Sequence, residues 1–190
     1  MALTYSPPGE LGSIAPEFKL LSTNGVHHEL RDFRNARVVV LVFMCNHCPY
    51  VHATRERINQ LAQEGVAYGV QVVGINSNDS VKYPDDSFEA MKREVAEQHY
   101  AFPYLWDETQ EVAKAYGAVC TPDFFVYKNE TAHKEPLRFV LKYRGRLDDN
   151  WKNPAAVTSR ELRAAVDAIL AGREPSSPQQ PSMGCSIKWK

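Results

Sequence analysis

Cys45 and Cys48 stand two residues apart in Phe43-Met44-Cys45-Asn46-His47-Cys48-Pro49-Tyr50-Val51-His52. Two chemistries use that spacing. One is a redox disulfide, in which a thiolate attacks and a second thiol resolves. The other is half of a metal site. Exchange needs a stabilised thiolate, and a helix N-terminus supplies one through its unpaired N–H groups. A helix beginning at Cys45 makes Cys45 the nucleophile, with Cys48 one turn on as the resolving thiol. Pro49 fits if it falls in the first turn, where its missing N–H has no intrahelical partner. A protonated His47 beside the pair further favours the thiolate. A closed zinc site asks for four N or S ligands. Cys45, Cys48 and His52 supply some, but no second Cys/His cluster exists. His27 and His28, adjacent in an expected strand, point to opposite faces. No metal site or cofactor is therefore expected, and His52, His99 and His133 read as ordinary residues.

The elements that must position the pair follow from periodicity. Residues 38–44 form an unbroken apolar run rich in β-branched side chains, a strand buried on both faces. A helix follows to about Gln63, with Val51, Ile58, Leu61 and Ala62 on one side. Residues 70–76 read as a second buried strand. Before them, residues 17–21 and 26–30 flank Asn24-Gly25, a hairpin signal. Residues 78–87 are polar and read as a loop. Phe88, Met91 and Val95 space a helix ending near His99. Asp107 caps a short helix carrying Val112, Ala113 and Tyr116, with Gly117 as its stop. Residues 123–127 and 137–143 are an antiparallel strand pair joined by a polar loop at 128–136. Leu162, Ala165, Val166, Ile169 and Leu170 make a helical stripe, with Thr158 and Glu161 as a capping box and Gly172 at the end. Strands alternating with helices predict a mixed α/β sheet flanked by helices, preceded by an N-terminal hairpin. The CxxC lies at the carboxyl end of the first central strand, where sites gather in open α/β sheets.

Composition bounds the class. The chain has 190 residues, 44 % hydrophobic and 24 % charged, enough for one full core. A net charge of −1 gives no basic face for nucleic acid or anionic lipid. No apolar run approaches the roughly 18 residues that span a bilayer. The first residues lack a secretory pattern, so the expected compartment is the cytoplasm, where a close cysteine pair is catalytic or metal-binding rather than structural. Residues 1–172 read as one domain. Residues 173–190, rich in Pro, Ser and Gln, read as a flexible tail carrying Cys185. Thirteen residues past Gly172, Cys185 can stretch about 40 Å, with a flexible-chain average of about 20 Å. That reaches its own site or a neighbouring subunit's in a homodimer. Ile187 and Trp189 are odd in a purely solvated tail and suggest that it docks.

The pair Cys45-Asn46-His47-Cys48 after a buried strand, with Thr121-Pro122 before a later one, resembles the thioredoxin superfamily. Residues 15–20 (Ala-Pro-Glu-Phe-Lys-Leu), the hairpin with Leu30-Arg31-Asp32-Phe33, Trp106-Asp107 and Tyr116-Gly117-Ala118-Val119 are similar to its alkyl-hydroperoxide-reductase/thiol-specific-antioxidant branch. The resemblance covers about residues 12–171. It implies that Pro122 is a cis-proline facing the CxxC and that Thr121 offers its backbone to an extended substrate. It also implies that Cys120 lies near the pair, as a further thiol or as a small buried hydrophobe. By likeness to oxidising relatives with His at the second middle position, His47 raises the reduction potential.

Two departures bear on activity. Peroxiredoxins carry Pro-x-x-x-Thr-x-x-Cys, and here Leu41 and Cys45 stand at the Pro and Thr positions before Cys48. Thioredoxins carry a buried Asp six residues before the first cysteine, and here that residue is Val39. The expected function is a thioredoxin-like thiol–disulfide oxidoreductase. Its partners would be a protein or small-molecule disulfide and a thiol reductant such as thioredoxin or glutathione. Two alternatives stay open: a copper or zinc carrier of the same fold, and a dithiol peroxidase in which Cys185 is a further resolving thiol.

Overall fold

The computed structural model describes residues 3–131 and 136–190. His133, and with it part of the loop expected at 128–136, lies outside these residues. The strands are β1 (Leu3–Tyr5), β2 (Lys19–Ser22), β3 (His27–Glu29), β4 (Val38–Phe43), β5 (Val70–Asn76), β6 (Tyr104–Trp106), β7 (Cys120–Thr121), β8 (Asp123–Asn129), β9 (Phe139–Gly145) and β10 (Met183–Ser186). The helices are α1 (Pro49–Gly65), α2 (Phe88–Gln98), α3 (Glu111–Tyr116) and α4 (Glu161–Leu170).

The main sheet has the order β3-β2-β6-β5-β4-β8-β9. β4 pairs in parallel with β5 and antiparallel with β8, so the sheet is mixed, as expected. Every side chain of β4 is fully buried. Val38, Val40 and Val42 pack with Ile58, Met91, Leu162 and Val166 on one face. Val39, Leu41 and Phe43 pack with Phe18, Ala113, Tyr116 and Phe125 on the other. Burying each such side chain contributes about 1.5–3 kcal/mol, so β4 is the anchored element from which the CxxC turn projects.

The hairpin β2–β3 and the antiparallel pair β8–β9 form where the alternation places them. Asp107 caps α3 through the amides of Val112 (3.4 Å) and Ala113 (2.9 Å), and Gly117 ends it at φ 63°. The stripe on α4 is buried at Leu162, Ala165, Val166 and Ile169. Its capping box does not form. The Thr158 amide donates to Asp149 at 2.9 Å and its hydroxyl bonds the same carboxylate, while Glu161 pairs with Arg146. α4 begins at Glu161 with Arg160 as its N-cap, so Thr158 lies before the helix and cannot close the box.

Residues beyond Gly172 differ more from expectation. They include β10, which forms a second, antiparallel sheet of order β1-β10-β7. Cys185 and Ile187 are buried there, so this part of the chain is packed structure rather than a loose tail. No described helix is long and apolar enough to cross a membrane.

Candidate active site

The CxxC turn connects β4 to α1. Pro49 is the first residue of α1, and Cys48 is the N-cap, extended at φ −80°, ψ 122°. The residue before a proline is driven out of the helical region, so the helix cannot begin at Cys45. The helix N-terminus expected beneath Cys45 therefore lies under Cys48. The first intrahelical bond runs from the His52 amide to the Cys48 carbonyl, at 3.0 Å.

Both cysteines are buried, and both meet Thr121. Cys45 Sγ and Thr121 Oγ1 lie 3.4 Å apart, and the Thr121 carbonyl oxygen is 3.1 Å from Cys48 Sγ. The Thr121–Pro122 bond is cis. Cys48 is held down to about 4, first by a hydrogen bond from the Cys45 thiol, then against burial by Thr121 and by the amides of Val51 and Cys185. The Val51 amide faces the sulfur without closing a full cap bond. The Thr121 carbonyl works the other way, since it can accept only from a protonated sulfur; the donors outnumber it. Cys45 is pushed well above an ordinary thiol, by Cys48 first, then by burial and the charge of Asp86. Of the two thiols, Cys48 is the more acidic.

His47 lies beside the pair, with a ring nitrogen within 4.8 Å of the Cys45 sulfur, but its direct partner is a carboxylate. Its Nδ1 lies 2.6 Å from a carboxylate oxygen of buried Asp86, and its ring stacks on Tyr83 at 5.5 Å between centroids. Asp86 raises the His47 pKa against the opposing effect of burial. Burial pushes the Asp86 carboxyl up, but bonds from His47, Asn78 and the Asn46 amide outweigh it and leave it below its usual value. The Asn46 amide donates to Asp86 at 2.7 Å, and Tyr104 donates to the Asn46 side-chain oxygen at 3.0 Å. Asp86 thus holds the turn through the Asn46 amide and His47, while Thr121 meets the two sulfurs.

Of the other candidates, Cys120 is buried and its thiol turns to the Pro122 carbonyl at 3.8 Å. Burial pushes its pKa up, so it sits in the site's edge as a protonated thiol. His52 contacts the Asn46 carbonyl and does not join the cysteines. Cys45, His47 and Asp86 do offer ligand atoms within 4.8 Å of one another, a set of which Cys45 and His47 were expected at the site and Asp86 was not. A metal there would have to replace the His47–Asp86 ion pair. Asp86 and Tyr83 were missed because they lie in a stretch whose only sequence signal was polarity.

A family model described as AhpC/TSA matches residues 11–149. The thiol-disulfide oxidoreductase ResA of Bacillus thuringiensis subsp. konkukian is 26 % identical over 117 residues, covering 62 % of this chain and 63 % of the relative. The chain thus matches less than two thirds of that relative's length. An uncharacterized conserved protein from Geobacillus kaustophilus has a crystal structure similar at TM-score 0.91 and 44 % identity, covering 100 % of this chain and 97 % of that one. The thioredoxin domain of a thiol-disulfide oxidoreductase from Bacteroides vulgatus is similar at TM-score 0.55 and 18 % identity, over 71 % of this chain and 89 % of that one. At that identity the likeness speaks to fold alone, and the fold is thioredoxin-like.

Proposed function

The chain belongs to the AhpC/TSA family, and on that premise we propose that it is a thiol–disulfide oxidoreductase working through Cys45 and Cys48. The observation that carries this reading is two buried cysteine sulfurs at the start of α1 that both meet Thr121, one at its hydroxyl and one at its carbonyl. The helix begins one residue after Cys48, so its unpaired amides favour a thiolate there, and the first attack falls to Cys48 rather than Cys45. The Cys48 thiolate attacks one sulfur of a substrate disulfide, and the other leaves as a thiolate that takes up a proton. Cys45 then gives up its proton and attacks Cys48 Sγ. The second substrate thiol departs, and the Cys45–Cys48 disulfide remains. An external thiol such as thioredoxin or glutathione returns it to the dithiol. Thr121 is the edge on which an extended substrate pairs. The reading sets this cycle in the cytoplasm, and it works equally in a monomer or a homodimer.

Mixed-disulfide trapping tests the roles. In a Cys185→Ser background, where no third thiol can resolve the adduct, Cys45→Ser should accumulate a mixed disulfide on Cys48, and Cys48→Ser should accumulate none. Trapping by Cys48→Ser alone returns the attack to Cys45. Trapping by neither variant sinks the exchange reading. A metal carrier is the second reading, favoured by Cys45, His47 and Asp86. Native mass after adding copper or zinc separates the two. Retained metal supports the carrier, and a loss of two protons on oxidation supports exchange.

A further inference from the structure

The groove beside Thr121 is already filled by the chain's own C-terminal strand. β10 runs antiparallel to β7, with Cys185 opposite Thr121 and Ser186 opposite Cys120. Its other edge pairs with β1. The approach is close enough to require glycine. A Cβ at Gly184 would fall 2.0 Å from the Thr121 carbonyl oxygen and 3.2 Å from the Pro122 nitrogen. Polar bonds fix the register on both sides. The Ser182 amide donates to Ser6 Oγ at 2.9 Å, and the Ser182 hydroxyl to the Gly145 carbonyl at 2.7 Å. The Ile187 amide donates to the Val119 carbonyl at 3.0 Å, and the Lys188 amide to Asn78 Oδ1 at 2.8 Å. This register brings the Cys185 amide and thiol both onto Cys48 Sγ.

We propose that Cys185 is the third redox thiol of this site, carried on a resident strand that occupies the substrate groove beside Thr121 and Pro122. The proposal rests on the exchange reading above, which supplies the Cys45–Cys48 disulfide at the expense of an external disulfide. The Cys185 thiol loses its proton and attacks Cys48 Sγ. The Cys45–Cys48 bond breaks and the Cys48–Cys185 bond forms. Cys45 leaves as a thiolate and takes up the proton, so the step is an internal exchange with no net change in oxidation. Burial, then the neighbouring Cys48, keeps Cys185 protonated up to about 12 in the reduced protein. Once Cys48 is in a disulfide its negative charge is gone, and that second influence goes with it. A polypeptide substrate pairing with β7 must displace β10, so the internal strand and an external one compete for one edge.

The test uses full-length reduced protein, one equivalent of oxidised glutathione, acid quenching, alkylation and disulfide peptide mapping. Wild type should give both Cys45–Cys48 and intrachain Cys48–Cys185. Cys45→Ser should give Cys48–Cys185 as its main bridge. Gly184→Ala should lower Cys48–Cys185 at least tenfold while Cys45–Cys48 persists. Cys185→Ser, which keeps the strand's backbone, should stop at Cys45–Cys48. If Cys45–Cys48 forms and Cys185 stays reduced in wild type and Cys45→Ser, the third thiol is refuted while the exchange reading survives. The same holds if Cys185 is bridged only between chains, or if Gly184→Ala gives as much Cys48–Cys185 as wild type. If wild type yields neither Cys45–Cys48 nor a glutathione adduct, the exchange reading itself fails and takes this one with it.

Discussion

β4 and β10 both border the CxxC, and they are held in opposite ways. β4 is paired along its whole length on both edges and shows no side-chain exposure. β10 is short, meets β7 over two residue pairs and β1 over three, and takes its register from hydrogen bonds at Ser182 and Lys188. A strand stabilised by apolar burial is lost only with the fold. One stabilised by a few edge bonds and a close backbone fit can leave while the fold remains. The rigid side carries Cys45 and Cys48, and the releasable side carries Cys185.

The largest expected effect is on the rigid side. Leu41→Ala removes a fully buried side chain from β4 and should cost about 2–5 kcal/mol, read as a lower urea midpoint. A loss below about 1 kcal/mol would mean that β4 is not the anchored element. On the releasable side, Gly184→Ala should leave the urea midpoint close to wild type. It should instead open Cys185, which is buried in wild type, to alkylation under native conditions. Mass spectrometry after native alkylation reads this directly, and a Cys185 as protected as in wild type would contradict the close fit.

The smallest effect concerns the third support, the His47–Asp86 pair. The His47 ring should titrate above 6.5 in wild type and lower in Asp86→Asn, where burial and the Lys188 charge push it down and only Cys48 still raises it. The raised His47 value stabilises the fold below 6.5, and this is lost as pH rises through the folded value. The lowered Asp86 value stabilises it above 3.8, and this is lost as pH falls through the folded value. The stability gap between wild type and Asp86→Asn should therefore be widest between these two pH values and narrow on either side. A gap that does not vary with pH would show that the ion pair makes no contribution.

Much of this arrangement is written locally in the chain. The apolar run at 38–44 can satisfy burial on two faces only as a central strand, and the stripe on α4 can bury only as a helix. Two cysteines separated by two residues, followed by a proline, specify a thiol pair at a helix start by chain geometry alone. Even the correct N-cap was legible, since Pro49 forbids helical backbone at Cys48. Other features depend on residues far apart in sequence. Asp86 acquires its role by meeting the Asn46 amide forty residues away, and polarity alone does not distinguish it from Asp85 beside it. β10 reads as a polar, proline-rich tail because the segment has few apolar residues, and its partners are strand edges and side-chain acceptors far away in the sequence. Its place is decided by the free edge of β7, by the absence of a side chain at Gly184, and by acceptors on Ser6 and Asn78. Local composition measures how much apolar surface a segment can bury. It carries no information about which backbone edge elsewhere is left unpaired, and that is what placed Cys185 on Cys48.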